Sequence, residues 1–131
     1  MSESVYCKAV ILAVVLPLSA CDPAPESTRI LERIPSPDGQ SEAVYANGML
    51  GGATVGPSSD VYVTKPGQFP KLRDRAFTGE HLCNLRIRWL ANNVLEIGYY
   101  ARRRIPGENL SGPNRIIVML HWLGRDAASG C

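Results

Sequence analysis

Beyond residue 28, apolar and polar residues mostly alternate one by one, in short runs broken by proline, glycine and asparagine. A period of two sends successive side chains to opposite faces of a strand. The pattern is sharpest late in the chain. Cys83, Leu85, Ile87 and Trp89 alternate with Asn84, Arg86 and Arg88; after Ala91-Asn92-Asn93, Leu95, Ile97 and Tyr99 alternate with Glu96 and Gly98. Asparagine tolerates the positive φ that a tight reversal needs. A three-residue loop there pairs Trp89 with Leu95, Ile87 with Ile97 and Leu85 with Tyr99. That register gathers the six apolar residues on one face and sets Arg88 against Glu96 on the other. A slip of one residue loses both arrangements.

Other segments follow the same logic. Arg29 to Ile34, Glu42 to Ala46 and Asp60 to Lys65 read as short strands. In the third, Val61 and Val63 lie on one face, and Tyr62 and Thr64 on the other. Pro35-Ser36-Pro37-Asp38-Gly39 forces a turn between the first two. Arg115 to Leu123 is almost continuously apolar, which predicts a strand covered on both faces or an edge strand packed on another layer. A short helix competes there, but Ile116, Ile117 and Val118 are β-branched and favour strand. Asn47 to Ser59 and Pro66 to Glu80 read as irregular. The expected fold is all-β, a small antiparallel sheet or sandwich of five to six strands after an N-terminal signal helix.

Composition fits one domain: 131 residues, 45% hydrophobic, with twelve glycines and ten prolines. The formal net charge of +2 is too small to argue for nucleic acid as a partner. The chain is uneven, however. Ala9 to Ala20 carries no charge and follows Lys8. Twelve residues make a helix of about 18 Å, short of a ~30 Å hydrocarbon core. A short apolar run with a basic flank and small residues at its end is a secretory signal pattern.

That run ends in Leu18-Ser19-Ala20-Cys21. The tetrapeptide resembles the bacterial lipobox, where lipoproteins are cleaved and lipidated. The resemblance implies cleavage before Cys21, acylation of Cys21, and membrane lipid as a partner. Several acyl chains give stable anchoring, at about 0.8 kcal/mol per buried CH₂. Asp22 resembles the sorting residue that keeps such proteins in the inner membrane of enteric bacteria. The expected location is thus the bacterial cell membrane, periplasmic face, with the inner membrane favoured and the outer left open. Asp22 to Thr28, with Pro23 and Pro25, reads as a tether. The expected organisation is a signal peptide at 1–20, a tether at 21–28, a β-domain at 29–123 and a tail at 124–131.

Within the domain, Ser36-Pro37-Asp38-Gly39, Ala43-Val44, Gly52-Ala53-Thr54, Val61-Tyr62-Val63, Leu85 to Leu90 and Leu95 to Tyr99 form an ordered series. The series resembles a family of small bacterial proteins built on a domain of unknown function, over roughly Ile34 to Ile105. The resemblance implies fold and compartment and brings no activity with it. This chain has glycine where some relatives carry a cysteine before the Gly-Ala-Thr segment, so a disulfide using that position does not carry over.

The candidate chemistry is sparse. Cys7 leaves with the signal peptide and Cys21 is the lipid attachment, so Cys83 and Cys131 remain for an oxidising compartment. A Cys83–Cys131 disulfide closes a loop of about 48 residues and is worth about 4 kcal/mol in the chain-entropy model; two free thiols are the alternative. His81, Cys83, His121 and Cys131 match no standard zinc spacing, so no metal is expected. No nucleophile elbow or paired-carboxylate motif appears, and no cofactor or catalytic residue is expected. Gly48 to Gly56 lacks the Gly-Lys-Ser/Thr ending of a phosphate loop and reads as a connecting loop or as a ligand loop. Arg102, Arg103 and Arg104 follow the hairpin whose polar face carries Arg86 and Arg88. These five are the candidate contacts to a partner or to lipid headgroups; a merely solvated face is the alternative. The expected function is a structural or interaction module of the envelope, with a protein partner there. A small periplasmic inhibitor or ligand-binding lipoprotein is the alternative, and a hydrolase a more distant one.

Overall fold

In the computed structural model, which describes residues 28–49, 57–106 and 109–125, the alternating segments form eight strands. In chain order they are β1 (Arg29–Pro35), β2 (Glu42–Met49), β3 (Pro57–Thr64), β4 (Arg75–Glu80), β5 (Cys83–Ala91), β6 (Val94–Tyr100), β7 (Asn109–Ser111) and β8 (Ile117–Gly124). The first four form an antiparallel sheet in the order β1-β2-β3-β4, and the rest a second sheet in the order β5-β6-β8-β7. The all-β expectation holds. The segments expected to be signal helix and tether, with Cys21 and Asp22, the stretch 50–56 and Cys131 of the expected disulfide lie outside the described residues.

The hairpin has the expected register at its centre: Ile87 opposite Ile97, Arg88 opposite Glu96, Trp89 opposite Leu95. The turn is tighter than three residues, because Ala91 pairs with Val94 around Asn92-Asn93 and Leu90 is accommodated as a bulge. Beyond Arg86, which lies opposite Gly98, the register shifts so that Cys83 comes opposite Tyr100. A second irregularity at Asn84, with φ +51°, absorbs the extra residue. Leu85 still packs against the core.

The two sheets share one apolar layer. Ala43, Val61, Val63 and Phe77 come from the first, and Leu95, Ile97, Tyr99, Val118 and Leu120 from the second; all are buried in a single cluster. This is a β-sandwich. Trp89 Nε1 donates to the Ile34 carbonyl at 2.9 Å, tying β5 to β1 along one side. At its Asp-Gly turn, Ser36 Oγ donates to Asp38 Oδ1 at 2.6 Å, the Gln40 amide donates to the same oxygen at 3.0 Å, and Gly39 takes φ +69°. The Ser36 hydroxyl, then the Gln40 amide, hold the Asp38 carboxyl below the usual range.

Three expectations are corrected. Part of Pro66 to Glu80 is strand: β4 pairs with β3, and Phe77 fills the core. Thr78 and Gly79 blur its alternation; Gly79 leaves room for Leu82, whose Cδ1 would lie 2.3 Å from a Cβ there and would have to shift. The second sheet is mixed, since β6 and β8 run parallel, joined by a crossover that includes β7. Finally, β8 is neither covered on both faces nor at an edge. Val118 and Leu120 are buried, while Ile117, Met119 and His121 face outward and exposed.

On its outer face the first sheet buries a small apolar cluster of its own. Val44, Ala46 and Tyr62 are fully buried, with Ile30 beside them. The loop after β3 is tied to this face: Arg33 Nη1 donates to Glu42 Oε2 at 2.6 Å and to the Gln68 carbonyl at 3.1 Å, and the Gly67 amide donates to Glu42 at 3.1 Å. Further along, the buried Asp60 carboxylate accepts from Thr78 Oγ1 at 2.5 Å, Ser58 Oγ at 3.2 Å and Tyr62 OH at 3.4 Å. Gly48 makes room for it, since a Cβ there would stand 2.7 Å from Asp60 Oδ2.

Burial, and then the Asp60 charge, push the Tyr62 phenol up to about 12. The folded state therefore favours the neutral phenol. That stability is complete below pH ~10, the ordinary phenol value, and is lost as pH rises toward about 12. Spectrophotometric titration is expected to show one late-ionising tyrosine, absent from Tyr62→Phe. Leu95→Ala is expected to cost about 2–5 kcal/mol in chemical denaturation, the range for a fully buried leucine.

Candidate functional site: the open face of the second sheet and its arginine loop

Period-two alternation sends Arg86 and Arg88 of β5, Glu96 and Gly98 of β6, and Met119 and His121 of β8 to the outer face of the second sheet. The register sets them in rows. Arg88, Glu96 and Met119 form one, and Arg86, Gly98 and His121 the next. Arg88 Nε donates to Glu96 Oε2, and His121 Nδ1 lies 3.9 Å from Glu96 Oε1. The hydrogen bond from Arg88 holds the Glu96 carboxyl below the usual range, against a smaller opposing effect of burial. The Arg86 guanidinium lies 5.9 Å from the centroid of the Tyr100 ring, a cation–π distance.

Arg86, Arg88, Glu96, Gly98 and His121, together with Leu85, Ile87 and Leu123, line a cleft of about 470 Å³ that reaches Glu32 of β1. Gly98 forms part of its floor: a Cβ there would press to 3.1 Å from Leu123 Cδ1. Toward the asparagine turn the same face becomes apolar. Leu90, Ile117 and Met119 are 47%, 45% and 37% exposed. A smaller cleft of about 260 Å³, between Arg75 to Thr78 of β4 and Ile105 and Leu120, opens on the opposite side of the sandwich.

The remaining predicted arginines occupy a different place. Arg102, Arg103 and Arg104 form an exposed bend immediately after β6, fastened at both ends. Before it, the Ala101 amide donates to the Gly124 carbonyl at 3.1 Å, and the Ala101 carbonyl accepts from Trp122 Nε1 at 3.1 Å. After it, the Ile105 amide donates to Tyr99 OH at 2.8 Å. Arg86 lies over Tyr100, two residues before Arg102, whereas Arg88 is drawn away to Glu96.

Of the two histidines, only His121 lines the larger cleft; His81 sits in the turn between β4 and β5 with φ +54°. Among the described residues no three His, Cys, Asp or Glu side chains converge as a metal set would. The cleft offers two guanidiniums, two carboxylates and an imidazole. Such groups bind and orient charged partners. The chain matches no family model, no curated protein and no solved structure.

Sequence reasoning found the Arg88–Glu96 pair but not His121 beside it, because that neighbour depends on β6 and β8 lying side by side. The Asp60 cluster was missed for a related reason: its hydroxyls come from two strands, one of which had read as irregular.

Removing the Arg88 side chain is expected to return the Glu96 carboxyl to the ordinary glutamate range. In an NMR titration of the Glu96 carboxyl carbon, Arg88→Ala should move the midpoint upward. An unmoved midpoint would show that the pair is not formed in solution.

Proposed function

We propose that this protein is a lipid-anchored module of the bacterial envelope. Acylated Cys21 holds it at the periplasmic face of the cell membrane, and its β-domain works by contact with a protein partner rather than by catalysis. The anchor rests on Leu18-Ser19-Ala20-Cys21 and the uncharged run before it. The observation that carries the contact role is the asymmetry between the two outer sheet faces. On the first, Val44, Ala46 and Tyr62 are fully buried. The second presents Leu90, Ile117 and Met119 beside a cleft of fixed charges. An apolar patch rimmed by oriented polar groups is the usual make-up of a recognition surface.

Binding of a small ligand is the second reading. The volume of the larger cleft supports it, since it falls within the usual range for ligand pockets.

The two parts of the proposal are tested separately. Wild-type protein is expected to incorporate a fatty-acid analogue and to sediment with membranes, whereas Cys21→Ala does neither; label retained by Cys21→Ala removes the anchor. For the surface, a photo-crosslinker at position 119 is expected to give a discrete adduct in whole cells that Ile117→Asp abolishes. An adduct indifferent to Ile117→Asp removes the open face as the contact.

A further inference from the structure

The sandwich has two distinct ends, and the register fixes which segments meet at each. Arg29 pairs with Asn47, Asn47 with Ser59, and Ser59 with Gly79, so the start of β1 lies at the end where β4 finishes. Only His81 and Leu82 separate β4 from β5. Cys83 pairs with Tyr100, and Tyr100 with Gly124. The point where the chain enters the domain therefore shares an end with the bend at Arg102 to Arg104. The Trp89–Ile34 hydrogen bond marks the opposite end.

The geometry points to an interaction surface at the entry end: the arginine bend is a seat for the anionic headgroups of the bilayer in which Cys21 is anchored. The inference rests on the lipid-anchor reading. Cys21 lies eight residues before Arg29, so the tether spans at most about 28 Å when fully extended. Arg29, Arg102, Arg103, Arg104 and Arg125 are exposed at this end, where Glu80 is the exposed acidic residue among the described residues. Each arginine near an anionic leaflet shifts occupancy by about fivefold, but only within a Debye length of roughly 10 Å.

Charge alone does not select this end, because Lys65, Lys71, Arg73 and Arg115 lie at the other. The tether does. Strands of seven or eight residues make the sandwich about 25 Å long, so the inverted orientation demands a tether stretched along its whole length. The bend is also pre-ordered, pinned at Ala101 and Ile105, so less side-chain and loop freedom is lost on contact.

The protein carries its own probes. Its two tryptophans lie at opposite ends: Trp122 bonds to the Ala101 carbonyl beside the arginine bend, and Trp89 bonds to Ile34. The experiment uses the lipidated full chain in phosphatidylcholine vesicles, with or without phosphatidylglycerol, bearing a dansyl headgroup acceptor. With phosphatidylglycerol, energy transfer from Trp122, read in Trp89→Phe, is expected to exceed that from Trp89, read in Trp122→Phe, by twofold or more. Replacing Arg102, Arg103 and Arg104 together by Glu, or omitting phosphatidylglycerol, should erase the difference. Should Trp89→Phe fold poorly, total transfer from the two-tryptophan protein must still fall on that triple replacement. Equal transfer from the two ends, or transfer indifferent to the replacement, overturns the proposal. Cys21→Ala separates the two readings. Without the tether it is expected to lose the Trp122-first order, whereas protein that carries acyl label at Cys21 yet shows no such order overturns the seat and leaves the anchor standing.

Discussion

The apolar layer between the sheets is the contact on which everything else depends. Val61 and Val63 from one side, and Leu95, Ile97 and Val118 from the other, are completely buried there. Each such side chain contributes about 1.5–3 kcal/mol on leaving water. The layer also dictates geometry. Once those residues point inward, period-two alternation leaves no choice about where Arg86, Arg88, Glu96 and His121 must go. The positions of the charged groups are a by-product of apolar burial.

The two outer faces solve their exposure differently. On the first sheet, a carboxylate is withdrawn from water and satisfied by three hydroxyls, which works only because Gly48 leaves room beside Asp60. Burying a charge without partners would be severely unfavourable. On the second, the carboxylate of Glu96 is held by Arg88, whose own side chain is largely solvated. Such pairs contribute little to stability, so this face is free to carry groups chosen for contact.

Much of this fold was legible because the signals were local. The β5–β6 hairpin announced itself through alternation and paired asparagines, and the Ser36-Pro37-Asp38-Gly39 turn through its own side-chain hydrogen bonding. What was hidden depends on neighbours distant in sequence. The parallel β6–β8 pairing leaves no local mark, and with it went His121 as a partner of Glu96. In β4, Gly79 serves the packing of Leu82 and thereby weakens the very pattern that would reveal a strand. The apolar run in β8 suggested cover on both sides, whereas Ile117 and Met119 are outward-facing residues of an open face.

Tyr99 joins interior to exterior in one side chain. Its ring is buried in the shared layer, and its hydroxyl accepts from the Ile105 amide just past the arginine bend. The posture of that surface bend is thus set by the state of the core. Loosening the interior would unseat the arginines without touching any of them. The Ile105 amide proton is consequently a native gauge of the coupling: its exchange with solvent records how often the latch lifts, in the free protein and against any surface it meets.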